Sequence, residues 1–113
     1  MSGVDHELRF LLSLDGLEFR FARDPTVKIA AREVEAGPHR PHGVKYSLTL
    51  HDPAGRRLYG IDNAHPLRRR TAYDHRHVFG ATRILPYDFR GAAALLEDFY
   101  DAVERILRER GAR

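Results

Sequence analysis

Apolar and polar residues alternate along the chain as far as Phe79, after which the pattern shifts to a helical period. Leu8, Phe10, Leu12 and Leu14 alternate with Arg9, Leu11 and Ser13, the period of a strand with one buried face. Asp15-Gly16 follows, a pair whose two positions both tolerate positive φ and which suits a two-residue hairpin turn. Leu17, Phe19 and Phe21 then alternate with Glu18, Arg20 and Ala22, so the pattern predicts an N-terminal hairpin. Pro25 ends the second strand, and Val27, Ile29 and Ala31 predict a third, although Ala30 to Glu35 would also serve as a short helix. Two prolines and two glycines make Gly37 to Gly43 a loop.

Val44, Tyr46, Leu48 and Leu50 alternate with Lys45, Ser47, Thr49 and His51, the clearest strand pattern in the chain. Asp52-Pro53-Ala54-Gly55 has the Pro and Gly positions of a type I turn, and Arg57 to Ile61 returns as the partner strand. That strand delivers Asp62, Asn63 and His65 at its far end. Leu67 to Ala72 lacks an apolar period and is expected to be an exposed loop. Asp74 to Phe79 predicts a further strand with His75, His77 and Phe79 on one face and Arg76 and Val78 on the other. Gly80 to Leu85 reads as irregular. Beyond Pro86, Leu95, Leu96, Phe99, Val103, Ile106 and Leu107 recur at three and four, predicting an amphipathic helix with Gly91 as its N-cap. The whole reads as α+β: an antiparallel β-sheet of about five or six strands with a C-terminal α-helix packed on one face. At 113 residues and 13.0 kDa the expectation is a single domain over 1–113.

Charge adds a direction to this picture. The net charge is +3, but from Gly37 to His77 Arg40, Lys45, Arg56, Arg57, Arg68, Arg69, Arg70 and Arg76 face only Asp52, Asp62 and Asp74. A basic middle suits a polyanion, and arginine's planar fork grips phosphate in two places. There is no cysteine, which excludes disulfides, thiolate metal sites and a cysteine nucleophile. The N-terminus lacks a basic segment followed by an apolar run, and no apolar stretch approaches the ~20 residues of a membrane span, so a cytoplasmic protein without a membrane partner is expected. A homodimer is compatible with the sequence, which leaves the oligomeric state open.

The candidate chemistry lies in the middle of the chain. Tyr73-Asp74-His75-Arg76-His77 packs two imidazoles, a guanidinium, a carboxylate and a phenol into five positions. On one strand face His75 and His77 would stand about 7 Å apart. They suit a general base and a general acid on either side of a phosphodiester, since imidazole titrates near neutral pH. Asp74 or Asp62 would orient an imidazole. Arg57, Arg68, Arg69 and Arg70 are candidate phosphate contacts, with Lys45, Arg76 and Tyr73 as further substrate-binding candidates. A second reading makes Asp62, His65, His75 and His77 ligands of a divalent metal such as Zn, Ni or Mn. A third is structural: histidines bonded to backbone and water, Asp62-Asn63 as an Asx turn, and the triple arginine as a solvated run. No Walker loop, nucleophile elbow or dinucleotide fingerprint is present.

Read in order, His42-Gly43-Val44-Lys45-Tyr46-Ser47-Leu48, Gly60-Ile61-Asp62-Asn63-Ala64-His65, Asp74-His75-Arg76-His77 and Pro86-Tyr87-Asp88-Phe89 leading to Leu95-Leu96-Glu97-Asp98-Phe99 resemble the TumE-like toxin family of bacterial toxin-antitoxin modules. The resemblance covers about Thr26 to Leu107, and Pro66 to Tyr73 departs from it as an arginine-rich insertion. It implies a small toxin neutralised by a cognate helix-turn-helix antitoxin, with growth arrest through a ribonuclease-like action on RNA. It also implies that Asp62, Asn63, His65, Asp74, His75 and His77 form the polar signature of the site. The expectation is thus a metal-independent endoribonuclease toxin without cofactor. The alternatives are a non-catalytic nucleic-acid or protein-binding module and a metal-dependent hydrolase using the same cluster.

Overall fold

The structure is a computed structural model that describes residues 3–21, 25–64, 73–78 and 83–111, with the side chains of the first helix described from His6 onward. In chain order the elements are α1 (Gly3–Ser13), β1 (Glu18–Arg20), β2 (Thr26–Glu33), β3 (Val44–His51), β4 (Arg57–Asp62), β5 (His75–Val78), β6 (Arg83–Pro86) and α2 (Ala92–Arg110). The described strands form one antiparallel meander in which each strand pairs with its sequence neighbour. An α+β sheet with a C-terminal helix on one face is therefore what the chain builds.

Alternation in β2, in β3 and in β4 from Tyr59 onward puts the apolar side chains on one face. Val27, Ile29 and Ala31 stand opposite Leu50, Leu48 and Tyr46, and Tyr59 and Ile61 continue two of these rows. They join Leu95, Phe99, Val103 and Leu107 of α2 and Leu11 of α1 in one buried cluster. Phe99 is fully buried and meets the Tyr59 ring at 6.2 Å between centroids.

The predicted N-terminal strand is instead helix α1. Five apolar residues among Leu8, Phe10, Leu11, Leu12 and Leu14 satisfy both periods, and packing selects the helical one: Leu11 is fully buried while Phe10 is 59% exposed. Leu8 and Leu12, three before and one after Leu11, pack against the same core. Asp15-Gly16 remains a turn with Gly16 at φ 86, but it joins a helix to a strand rather than two strands. Here it completes the edge of the sheet, because three-residue β1 is too short to pair all of β2. Gly16 N–H donates to Ile29 O, Ile29 N–H to Leu17 O, and the Asp15 carboxylate accepts the Ala31 N–H at 2.9 Å.

A second correction concerns Gly80 to Leu85, read as irregular. Arg83–Pro86 is strand β6, paired with β5 from His75↔Pro86 to Val78↔Arg83. Its alternation is weak because it is an outer strand with exposed Ile84, and such a position also tolerates Pro86. At α2 the glycine cap has no side chain to offer. Glu7 of α1 supplies the acceptor instead, taking the Ala93 N–H at 3.3 Å, a carboxylate at the positive end of the helix. The Leu67–Ala72 loop expectation falls outside the described residues.

Candidate functional site

The pairing of β4 with β5 sets Asp62 opposite His75 and Gly60 opposite His77. Alternation points Asp62, His75 and His77 to the sheet face away from the two helices, with Ile61 and Arg76 on the other. His75 Nε2 lies 3.0 Å from His77 Nε2, and the Asp62 carboxylate straddles both: Oδ1 is 3.3 Å from His75 Nε2 and Oδ2 3.3 Å from His77 Nε2. Asp62 and His75 are buried; the His77 side chain is 12% exposed and the most accessible of the three. The imidazoles thus converge on one point, in place of the 7 Å separation expected of side chains standing straight off the strand.

Local structure holds these rings in place. His75 Nδ1 donates to Tyr73 O at 2.6 Å; a carbonyl only accepts, so in the neutral ring Nε2 carries the lone pair directed at Asp62 and His77. Asp62 Oδ1 also accepts the Ala64 N–H at 3.1 Å, so the Asx turn exists alongside the histidine contacts. Burial and the Arg57 guanidinium hold the His77 imidazolium below its ordinary range, against the opposing pull of Asp62. His77 Nδ1 is buried and has no hydrogen-bond partner among the described residues.

Arg57 reaches this face through a bulge. Leu50 pairs with Tyr59 and His51 with Arg57, so Leu58 is an extra residue in β4. Without it, alternation from Gly60 would turn Arg57 towards the helices; with it, Arg57 shares the face of His77, and Leu58 packs against the core. Gly60 leaves room for the arm, since a Cβ there would lie 3.4 Å from Arg57 Cδ and 3.2 Å from Thr49 Cγ2. Thr49 accompanies His77 across this row, and His51 Nε2 contacts Thr49 Oγ1 at 2.8 Å. Thr49 and His51 were recognisable as the polar positions of an alternating strand, but nothing local tied them to His77.

Other candidates stand elsewhere. Asp74 turns away from the histidines and accepts the Tyr46 hydroxyl at 2.6 Å in a buried contact, while burial and this carboxylate push the Tyr46 phenol up. Asp62 is therefore the carboxylate at the imidazoles. The Asn63 amide faces the β3 backbone: Oδ1 accepts Tyr46 N–H and Nδ2 donates to Val44 O, both at 2.8 Å. Arg76 lies on the helix side, beside Leu58, Tyr59, Leu85 and Arg105. Lys45 is on the triad's face, next to Ser47 and Arg32. Tyr73 stacks on His39 at 4.4 Å and lies under the Arg40 guanidinium. Arg40 itself, counted among the basic residues, donates to Asn63 O and Ala64 O, both at 3.0 Å, and clamps the end of β4. His65, Arg68, Arg69 and Arg70 fall outside the described residues.

The three donor groups of Asp62, His75 and His77 lie within 4.8 Å of one another, an arrangement that can share a proton or hold a cation. No described helix is long and apolar enough to cross a membrane. No curated protein and no solved structure matches the chain. The model of the family described as Toxin TumE matches residues 13–107, a span that contains the β4–β5 pairing, the triad and nearly all of α2. The chain belongs to the TumE toxin family.

Proposed function

We propose that the protein is the toxin half of a toxin-antitoxin pair that acts in the cytoplasm by cleaving RNA, with Asp62, His75 and His77 as its chemical centre. The observation that carries this reading is the buried carboxylate straddling two imidazoles beside Arg57 on the sheet face away from the helices. Cleavage by the 2′-hydroxyl needs a base for that hydroxyl, a proton for the departing 5′ oxygen and positive charge for the phosphate. With Nε2 atoms 3.0 Å apart, the imidazoles serve as one proton-transfer unit on one side of the phosphate, and His77 is the member nearest solvent. A proton gained on either ring is stabilised by Asp62. Arg57 and Lys45 hold the backbone on this face, with Arg68 to Arg70 as further phosphate contacts. A helix-turn-helix antitoxin is the expected neutralising partner.

The test is induction in a bacterial host, with purified protein incubated with RNA in parallel. The wild type should arrest growth and cleave RNA, whereas His77→Ala should do neither while keeping the wild-type circular dichroism and melting profile. Cleavage and arrest retained in both His75→Ala and His77→Ala would remove the assignment. Binding that weakens steeply with salt but never leads to cleavage would make the protein a binding module instead.

A further inference from the structure

We propose that Asp62, His75 and His77 form a binding site for one divalent transition-metal ion, with zinc as the reference ion. The inference rests on reading this triad as the chemical centre. Two ligands at about 2.0–2.1 Å from a common ion are separated by roughly 3.3 Å at a tetrahedral angle and about 2.9 Å at a right angle. The two Nε2 atoms, 3.0 Å apart, have that spacing; the Asp62 carboxylate stands 3.3 Å from each through a different oxygen, and with one oxygen per carboxylate the three donors lie within 4.8 Å of one another. His75 Nδ1 is committed as a donor to Tyr73 O, so its Nε2 lone pair points at the other two donors and is available to an ion. A ligating histidine whose far nitrogen donates to a backbone carbonyl is the usual way a protein fixes tautomer and ring angle at a metal. Here that role falls to the strand itself, since Tyr73 and His75 are two residues apart and the His75 ring folds back onto its own chain.

The donor set selects the ion class. Two imidazole nitrogens and one carboxylate favour zinc or nickel over magnesium or calcium, which prefer oxygen-only shells. Three protein donors leave coordination positions open for water or a phosphate oxygen, and Arg57 lies beside them on the same face. An ion held there would occupy the Nε2 lone pairs of both imidazoles, so those rings would act as ligands rather than proton carriers, and it would supply charge to polarise a phosphate oxygen or a water.

Isothermal titration calorimetry on chelator-treated protein tests this without RNA. Zinc should bind one ion per chain, magnesium should give no heat, His42→Gln should leave zinc affinity unchanged, and Asp62→Asn and His77→Gln should weaken it at least about 100-fold. Zinc affinity that survives both triad substitutions, or magnesium binding of equal strength, would overturn the site. Should a triad substitution unfold the chain, nitrogen NMR of the wild type decides: zinc must shift the Nε2 signals of His75 and His77 while His75 keeps its Nδ1 proton, and shifts confined to other histidines overturn the site. Absent zinc binding with RNA cleavage intact refutes the metal site alone; zinc binding without cleavage refutes the ribonuclease reading alone.

Discussion

Asn63 and Asp74 are grouped with Asp62 and the histidines by the resemblance alone, and each is engaged with the scaffold. The Asn63 side chain mimics one more residue of the β3–β4 ladder by pairing with both Tyr46 N–H and Val44 C=O. Asn63→Ala should therefore lower stability by about 2–3 kcal/mol through two unpaired buried backbone groups, measured by urea unfolding. Any activity lost should follow the loss of fold. A second residue-scale test concerns Asp98, which accepts hydrogen bonds from Tyr87 and Arg90. The Tyr87 hydroxyl, followed by Arg90, holds its carboxyl below the usual carboxylate range. A depressed folded value means that its stabilisation is present above the unfolded value of about 4 and is lost as pH falls through the folded one. Tyr87→Phe should raise the Asp98 titration point, read by carboxyl carbon NMR, and flatten that acid-side loss of stability.

Elements show where alternation suffices and where it does not. The polar and apolar rows of β2, β3 and β4 were legible because both helices bury one face, so each side chain's environment is set by its parity. In α1 the same reasoning misreads Leu8 to Leu14, where five apolar residues fit either period and only docking of Leu11 against α2 and β2 decides. Leu11→Ala should cost about 2–5 kcal/mol, a penalty that an exposed strand position would not show; Phe10→Ala, from the exposed side, should change little. The β4 bulge is equally invisible locally, because an inserted Leu58 alters no pattern within its own strand. It is what brings Arg57 onto the triad's face. Arg57→Ala should weaken RNA binding at every sequence alike and reduce the salt slope by about one, measured by fluorescence anisotropy across salt concentrations.

At the scale of the molecule, the meander divides the labour between two faces of one sheet. One face is closed by α1 and α2 around Phe99, and Phe99→Ala should destabilise the chain by about 3–5 kcal/mol in denaturant unfolding. The other carries the triad on the central part of the sheet, where β4 and β5 are paired on both sides and cannot shift without breaking ladders. Rigid backbone on either side suits a centre whose donor atoms must stay within a few tenths of an ångström of one another. The loop from Gly37 to Gly43 joins in from the side: Tyr73 N–H donates to His39 O while Arg40 ties Asn63 and Ala64, so the entry to β5 and the exit from β4 are held by one segment.

The sequence by itself determined what depends on neighbours along the chain. That covers the alternation of β2 to β5, the Asp52–Gly55 turn, the three-and-four period of α2 and the shared face of His75 and His77. Family membership was also readable there, in short polar motifs separated by recognisable apolar runs. Only the tertiary structure decided what depends on partners far along the chain. Cross-strand register put Asp62, not Asp74, against the imidazoles; a one-residue bulge turned Arg57 towards them; burial made α1 a helix; and pairing alone made β6 a strand. The physical reason is the same in each case: periodicity records which side of an element is apolar, whereas distances of about 3 Å between side chains depend on how separate elements are aligned.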